Sequence, residues 1–186
     1  MKRFNLIFPI LGLILLFPTC KDKTSDDFFA GKTSDIIYLD IEPDIVFPIG
    51  ESKDSIDINQ DSNYDLVFET KAIAGRHGFF SFPAVKATQD LNILISNENN
   101  MPKALSKGEI ISNSDKWCIN DSLLLLYYCE YYGSNENCTT IGFWADQQDK
   151  YLGFKYKNKL GWIKITTSIN TELNQCLVLK ELGIEK

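Results

Sequence analysis

Residues 57 to 65 have the sequence DINQDSNYD and carry an oxygen-bearing side chain at every second position. These side chains belong to Asp57, Asn59, Asp61, Asn63 and Asp65. A hard cation such as Ca²⁺ takes about six to eight oxygen ligands. A tight loop that presents side chains at alternate positions can wrap them round one ion. The spacing therefore predicts a calcium site that fixes the loop.

The same segment also fits a polar turn without a metal, because Asp and Asn side chains hydrogen-bond to nearby backbone groups in turns. Its pattern resembles the calcium loops of EF-hands, dockerins and thrombospondin-type repeats. It differs from them at Ser62, where those loops have a glycine, and at Phe68, where an EF-hand has its bidentate Glu. The flanking residues have strand character. A helix–loop–helix EF-hand is thus excluded, and the calcium site and the polar turn stay as alternatives.

The sequence contains a single histidine, His77, which any Ser-His-Asp or Cys-His device would have to use. No G-x-S-x-G, multi-His zinc pattern, P-loop or dinucleotide-binding fingerprint accompanies it. A glycosidase needs two facing carboxylates, and nothing in the sequence selects such a pair among its 25 acidic residues. No catalytic residue is predicted, and a carbohydrate-active hydrolase with an unidentified carboxylate pair is the alternative to a non-enzymatic protein.

The elements that must position the Asp-rich segment are short runs rich in Ile, Tyr, Phe, Val and Thr, separated by clusters of turn residues. Such runs predict β-strands. The expected strands are 36–41, 44–47, 55–58, 64–74, 91–95, 123–132, 141–145, 151–157, 161–167 and 177–179. Short helices are expected at 102–107 and near the C-terminus. The sequence predicts an all-β fold, an antiparallel β-sandwich of the jelly-roll type with one or two short helices.

The clearest predicted hairpin is YLGFKYKNKLGWIKI, residues 151 to 165. Alternation along the two strands predicts one apolar face, formed by Leu152, Phe154, Tyr156, Ile163 and Ile165. Trp162 falls on the opposite face with Lys164. An aromatic side chain in that place either stacks on a sugar or packs under a loop or a second sheet, and packing is the commoner outcome.

The N-terminus has the pattern of a secretory signal, with Lys2 and Arg3 before an uncharged run from 6 to 17. That run is too short for a spanning helix, which needs about 20 residues. The residues Phe-Pro-Thr before Cys20 resemble the lipobox of Bacteroidetes-type lipoproteins, and the polar KDKTSDD after it resembles their surface-export tag. The resemblance implies lipidation of Cys20. A plain signal peptide cut near Cys20 is the alternative.

These features predict three segments, which are a signal peptide (1–19), a lipid-anchored tether (20–35) and a β-sandwich domain (36–186). Four cysteines remain beside Cys20, and an exported protein meets an oxidising compartment. A two-residue turn at Gly133-Ser134 would place Cys129 and Cys138 opposite each other. Cys118–Cys176 then follows by elimination. The alternative is that the four cysteines are reduced and pack as small apolar groups.

The formal charge of −6 argues against nucleic acid as a partner. The Asp-rich segment followed by Asp65-Leu66, together with Gly153-Phe154 and Gly161-Trp162, resembles uncharacterised secreted β-sandwich modules of Bacteroidetes and PEP-CTERM bacteria. The resemblance implies a sandwich at the cell surface and no established chemistry. The expected protein is an outer-membrane lipoprotein, periplasmic or surface-exposed, that acts as a binding or structural module. Its expected partners are the membrane, through the lipid, and a polysaccharide or an envelope protein.

Overall fold

The computed structural model describes residues 27–48, 50, 52–75, 78–88, 90–119, 122–125, 128–131, 143–168 and 175–186. Within these ranges the regular elements are all β-strands, and the strand pairings are antiparallel. In chain order they are β1 Phe28–Phe29, β2 Ile36–Pro48, β3 Ser52–Ile56, β4 Leu66–Gly75, β5 Gly78–Ala87, β6 Leu91–Leu94, β7 Ala104–Leu105, β8 Ile110–Ile111, β9 Trp117–Ile119, β10 Ser122–Leu124, β11 Tyr128–Tyr131, β12 Lys150–Tyr156, β13 Lys159–Thr167 and β14 Gln175–Glu185. The predicted all-β antiparallel class is confirmed.

The strands form three sheets. The largest has seven strands in the order β2-β14-β13-β12-β6-β9, and β7 also pairs with β12. A five-stranded sheet has the order β10-β5-β4-β3, with β11 also paired to β5. The third is a two-stranded ribbon of β1 and β8. In the described part of the chain, no helix is long and apolar enough to cross a membrane.

The β12–β13 hairpin follows the predicted alternation. Leu152 lies opposite Ile163, and Tyr156 lies opposite Lys159, which leaves Lys157 and Asn158 as a two-residue turn. The predicted apolar face is confirmed, because all its members join one buried cluster: Leu152, Phe154, Tyr156, Ile163 and Ile165. That cluster also takes side chains such as Phe68 from the five-stranded sheet.

The opposite face of the seven-stranded sheet is also covered. Trp162 is 0% exposed there, and its ring meets that of Tyr151 edge-on at 5.2 Å between centroids. Phe28 and Ile111 of the β1–β8 ribbon belong to the same second buried cluster. Trp162 therefore packs under a covering segment, which is the commoner of the two outcomes, and it is not available to stack on a sugar.

Several predicted elements differ from the structure. Ala104 and Leu105 were expected in a helix but form β7 against β12, because six residues are too few to offset helix nucleation. The helix expected near the C-terminus is instead the long strand β14. Residues 36–41 and 44–47 belong to one strand, residues 123–132 are divided between β10 and β11, and residues 143–146 form a turn.

The predicted tether and the folded domain also meet at a different point. Phe28 and Ala30 were assigned to the tether, yet both are buried, with Phe28 only 2% exposed. Burying a phenylalanine side chain contributes about 1.5–3 kcal/mol. The folded part of the chain therefore includes residues before Ile36, the predicted first residue of the domain.

Candidate functional site

Residues 57–65, called the Asp-rich loop below, connect β3 to β4. Ile56 and Leu66 are the last paired residues of the two strands, and the Asp65 amide donates to the Ile56 carbonyl at 2.9 Å. The predicted strand–loop–strand setting is thus present. The loop lies between two neighbouring strands of the five-stranded sheet.

Asp65 faces inward and fixes the base of the loop. Its carboxylate accepts a hydrogen bond from the Ile58 amide at 2.9 Å, and the residue is 6% exposed. Desolvation raises the pKa of Asp65, while the backbone donors Ile58 and Asn59 act in the opposite direction. The Asp65 carbonyl also accepts from both the amide and the hydroxyl of Thr88, at 2.9 and 3.0 Å. Asp65 thereby ties the loop to the segment between β5 and β6.

The outer side chains of the loop accept hydrogen bonds from the loop backbone. Asp57 accepts from the amides of Asp61 and Ser62 at 3.2 and 2.7 Å. Asn59 Oδ1 accepts from the Asp61 amide at 2.7 Å. Asp61 accepts from the Asn63 amide at 2.8 Å, and this bond is the main reason that the pKa of Asp61 is lowered. Hydrogen bonds of this kind, from backbone amides to Asp and Asn side chains, are what the polar-turn interpretation predicts.

The five predicted calcium ligands are therefore divided between two environments. Asp57 and Asp61 lie on the exposed side of the loop, whereas the Asp65 carboxylate is directed to the buried Ile58 amide. In the ranges that the structure describes, no group of three or more His, Cys, Asp or Glu side chains is placed to hold a metal ion. The calcium site stays a prediction.

A cleft of about 560 Å³ lies between the Asp-rich loop and the β12–β13 turn, and we call it the loop–hairpin cleft. It is lined by Ile37, Ile58, Asn59, Gln60, Tyr156, Lys157, Asn158, Lys159, Ile184 and Glu185. Asn59 Nδ2 donates to the Tyr156 hydroxyl at 2.5 Å and joins the two walls. The start of β2 and the end of β14 complete the lining.

The loop–hairpin cleft combines an apolar floor with a polar rim. Ile58 and Ile184 are buried, and Ile37 is half exposed beside them. On the rim, the Lys157 ammonium lies 5.1 Å from the centroid of the Tyr156 ring, and the hydrogen bond to Tyr156 raises the pKa of Lys157. Glu185 accepts the Leu160 amide at 2.7 Å. Such a lining suits a ligand with both apolar and hydrogen-bonding groups.

The loop–hairpin cleft is not among the sites predicted from the sequence. Its lining comes from segments that are far apart along the chain, at residues 37, 58–60, 156–159 and 184–185. The available signal was the run Ile-Ile-Tyr-Leu at the start of β2, in which three consecutive apolar residues turn out to be exposed. An amphipathic strand would have shown only one exposed face.

The remaining predicted sites are only partly described. Cys20, His77 and Cys138 lie outside the described residues. Cys129 lies in β11, opposite Phe80. The Cys129–Cys138 pairing therefore stays a prediction, as does the lipidation of Cys20.

The strand order argues against the Cys118–Cys176 pairing. Cys118 is half-buried in β9, and the backbone of Cys176 lies in β14. The strands β13, β12 and β6 lie between them in the sheet. At a spacing of about 4.8 Å per strand, the four steps from β9 to β14 correspond to roughly 19 Å across the sheet. A disulfide requires Cα atoms within about 7 Å.

When the chain was compared with protein-family models, curated proteins and solved structures, no match was found in any of the three comparisons.

Proposed function

We propose that this chain is a lipid-anchored module of the bacterial cell envelope that binds a ligand in the loop–hairpin cleft. The observation that carries the proposal is the cleft itself, about 560 Å³ in volume with an apolar floor and convergent polar groups. Ligand sites in proteins are commonly concave and apolar with a few placed polar groups. A purely structural module would not need such a cleft.

The proposed scaffold is a β-sandwich that carries the cleft at one end. Its support is the larger buried cluster, in which Phe68 and Val85 of the five-stranded sheet join Ile163 and Leu179 of the seven-stranded sheet. In a β-sandwich, two sheets pack face to face and their inner side chains form one core in this way. The anchor is proposed from the lipobox-like residues before Cys20, and it would hold the module at the outer membrane.

Binding without catalysis is favoured by the chemistry of the cleft. Among the described residues that line the cleft, Glu185 is the one with a carboxylate, and it already accepts the Leu160 amide. A glycosidase needs two carboxyl groups about 5–9.5 Å apart across its cleft. The alternative of a carbohydrate-active hydrolase therefore gains no support from this lining.

The proposal is tested by following backbone amide resonances of the mature chain during titration with envelope polysaccharides and with peptides. We expect shifts to concentrate at Asn59, Lys157 and Lys159. Asn158→Trp, which fills the cleft from the hairpin turn, should weaken binding at least tenfold. Asn113→Trp makes the same exchange on an exposed residue that does not line the cleft, and should leave binding unchanged. Shifts concentrated elsewhere, or equal effects of the two variants, would refute the proposal.

A further inference from the structure

The edge of the seven-stranded sheet next to the loop–hairpin cleft is apolar and exposed. β2 pairs with β14 on one side, and no strand in the described ranges pairs with its other side. Ile37, Tyr38 and Leu39 are 51%, 43% and 42% exposed. Edge strands leave alternate N–H and C=O groups without partners and usually have protective features. Among the described residues, the first residues of β2 are thus apolar and have no strand paired on this side.

A bulge limits the open part of this edge. Asp40 lies opposite Glu181 and Ile45 lies opposite Leu179, so residues 41–44 of β2 face a single residue of β14. Pro43 within the bulge also lacks an N–H donor. A partner strand can therefore pair with residues 36–40 and cannot continue in register beyond them.

Charge decides what kind of strand fits there. The exposed acids on and beside β2 are Asp35, Asp40, Glu42 and Asp44, and residues 35–48 contain no lysine or arginine. Lys164, a nearby cation on the Tyr38 side, is already paired with Glu181 at 2.7 Å. A second copy of this chain would bring four more acids and no lysine or arginine to this edge from its residues 35–48, so negative charge would accumulate there. A partner with basic side chains on the Asp40 face would be favoured, whereas the cleft face already carries Lys157 and Lys159.

The two faces of β2 differ, and this difference predicts which side chains the partner strand should carry on each face. Ile37 and Leu39 share the face that borders the cleft, and Ile37 is among the residues that line it. Tyr38 and Asp40 share the other face. Side chains of a paired strand lie beside those of its neighbour. An added strand would thus present apolar side chains on the cleft side and basic side chains on the Asp40 side.

We propose that the partner is an extended segment of another protein, with alternating apolar and basic residues, that adds as a strand to residues 36–40 of β2. One apolar side chain of the segment enters the loop–hairpin cleft beside Ile37. This inference rests on the proposed function and names the class of its ligand. Main-chain hydrogen bonds supply affinity in this mode of recognition, and the alternate side chains supply specificity.

The test uses the mature chain and synthetic peptides of about eight residues that alternate lysine and valine. Binding should slow hydrogen exchange at alternate amides between Ile36 and Asp40. Replacing lysine by glutamate in the peptide, or methylating alternate peptide nitrogens, should abolish the effect. Asp40→Lys should weaken binding about tenfold or more. Val46→Lys, at a 45% exposed position of the same strand beyond the bulge, should change it less than twofold.

Five outcomes would overturn the inference. In the first, the amides of residues 36–40 that point away from β14 are already protected in the dilute protein, which would mean that the chain itself covers the edge. Protection that appears only as protein concentration rises would identify a second copy. In the third, Asp40→Lys and Val46→Lys weaken peptide binding equally. In the fourth, a polysaccharide shifts the cleft amides and the peptides do not, so the proposed function stands and this inference fails. If neither ligand shifts them, both fail.

Discussion

Asn59 Nδ2 lies 2.5 Å from the Tyr156 hydroxyl oxygen, so the Asp-rich loop is fastened to the β12–β13 hairpin by one side-chain hydrogen bond. The two residues are 97 positions apart in the sequence. This contact holds the two walls of the loop–hairpin cleft together, and the shape of the cleft depends on it.

Tyr156→Phe removes this bond and should lower the free energy of unfolding by about 0.5–1.5 kcal/mol, and Asn59→Ala should lower it further because the Asn59 side chain also accepts the Asp61 amide. Because both remove the same interaction, their double variant should be destabilised by less than the sum, with a coupling of about 1 kcal/mol. Urea unfolding measures the cycle. Asn63→Ala combined with Tyr156→Phe serves as the control and should be additive. Additivity in the first cycle as well would show that the bond is not formed in solution.

Asp65→Asn tests the buried base of the loop. The amide keeps one oxygen for the Ile58 N–H but adds a donor in a buried place, so a loss of about 1–3 kcal/mol is expected. The pKa of Asp65 is raised by desolvation, which means that the folded state holds its proton more tightly than the unfolded state.

The stability of the wild type relative to Asp65→Asn should therefore fall as pH rises from the unfolded value, about 3.9, through the folded pKa. Denaturant unfolding at several pH values measures this difference, and groups common to both proteins cancel. A relative stability that rises over the same range would contradict the raised pKa. The Asp65 carboxyl resonance gives the pKa directly.

The calcium and polar-turn interpretations of the Asp-rich loop predict different thermal behaviour. If the loop binds calcium, millimolar Ca²⁺ should raise the Tm of the metal-stripped protein, and Asp57→Ala with Asp61→Ala should abolish the rise. Asp40→Ala with Asp44→Ala removes two exposed carboxylates outside the loop and should preserve it. A Tm that does not respond to Ca²⁺ leaves only the polar turn, in which both acids accept backbone donors.

Cys20→Ser tests the proposed anchor. Lipidation of the cysteine thiol predicts that labelled fatty acid is incorporated into the wild type and not into this variant, which should be released from the membrane fraction. Cys118→Ser is the matched exchange at a cysteine inside the folded part and should keep the label. Fatty acid on the Cys20 variant would exclude this cysteine as the anchor.

Gly183→Ala tests the packing over Trp162. A Cβ at this position would lie 2.6 Å from the Trp162 ring, so overpacking should cost about 1–3 kcal/mol and shift the tryptophan fluorescence. Gly108→Ala is the comparison, since Gly108 has φ +82 but no neighbour within 4 Å. It should destabilise through the backbone alone and leave the emission unchanged. Identical spectra for the two variants would contradict the predicted overpacking.

The β12–β13 hairpin was predictable from sequence because its two faces alternate strictly and its turn is short. Leu152 and Ile163 are paired as the alternation required. The loop between β3 and β4 was predictable for a similar reason, since Asp and Asn side chains stabilise turns locally. In both cases the information lies within about fifteen consecutive residues.

β5 and β14 were not predictable in the same way. β5 contains Pro83, which weakens a strand assignment, yet it is tolerated opposite Thr70. Residues 180–186 of β14 include good helix formers, but pairing with both β13 and β2 overrides that propensity. The loop–hairpin cleft was missed for the same physical reason, because its walls meet only through long-range pairing.

The β1–β8 ribbon gives the proposed anchor a mechanical consequence. Tension along the tether would reach the folded chain at Phe28, whose strand pairs with β8 over only two residues. Peeling β1 away would uncover the second buried cluster around Trp162 while leaving the larger cluster closed. Under tension the β1–β8 ribbon would thus open first, and the loop–hairpin cleft on the other side of the sheet would keep its shape.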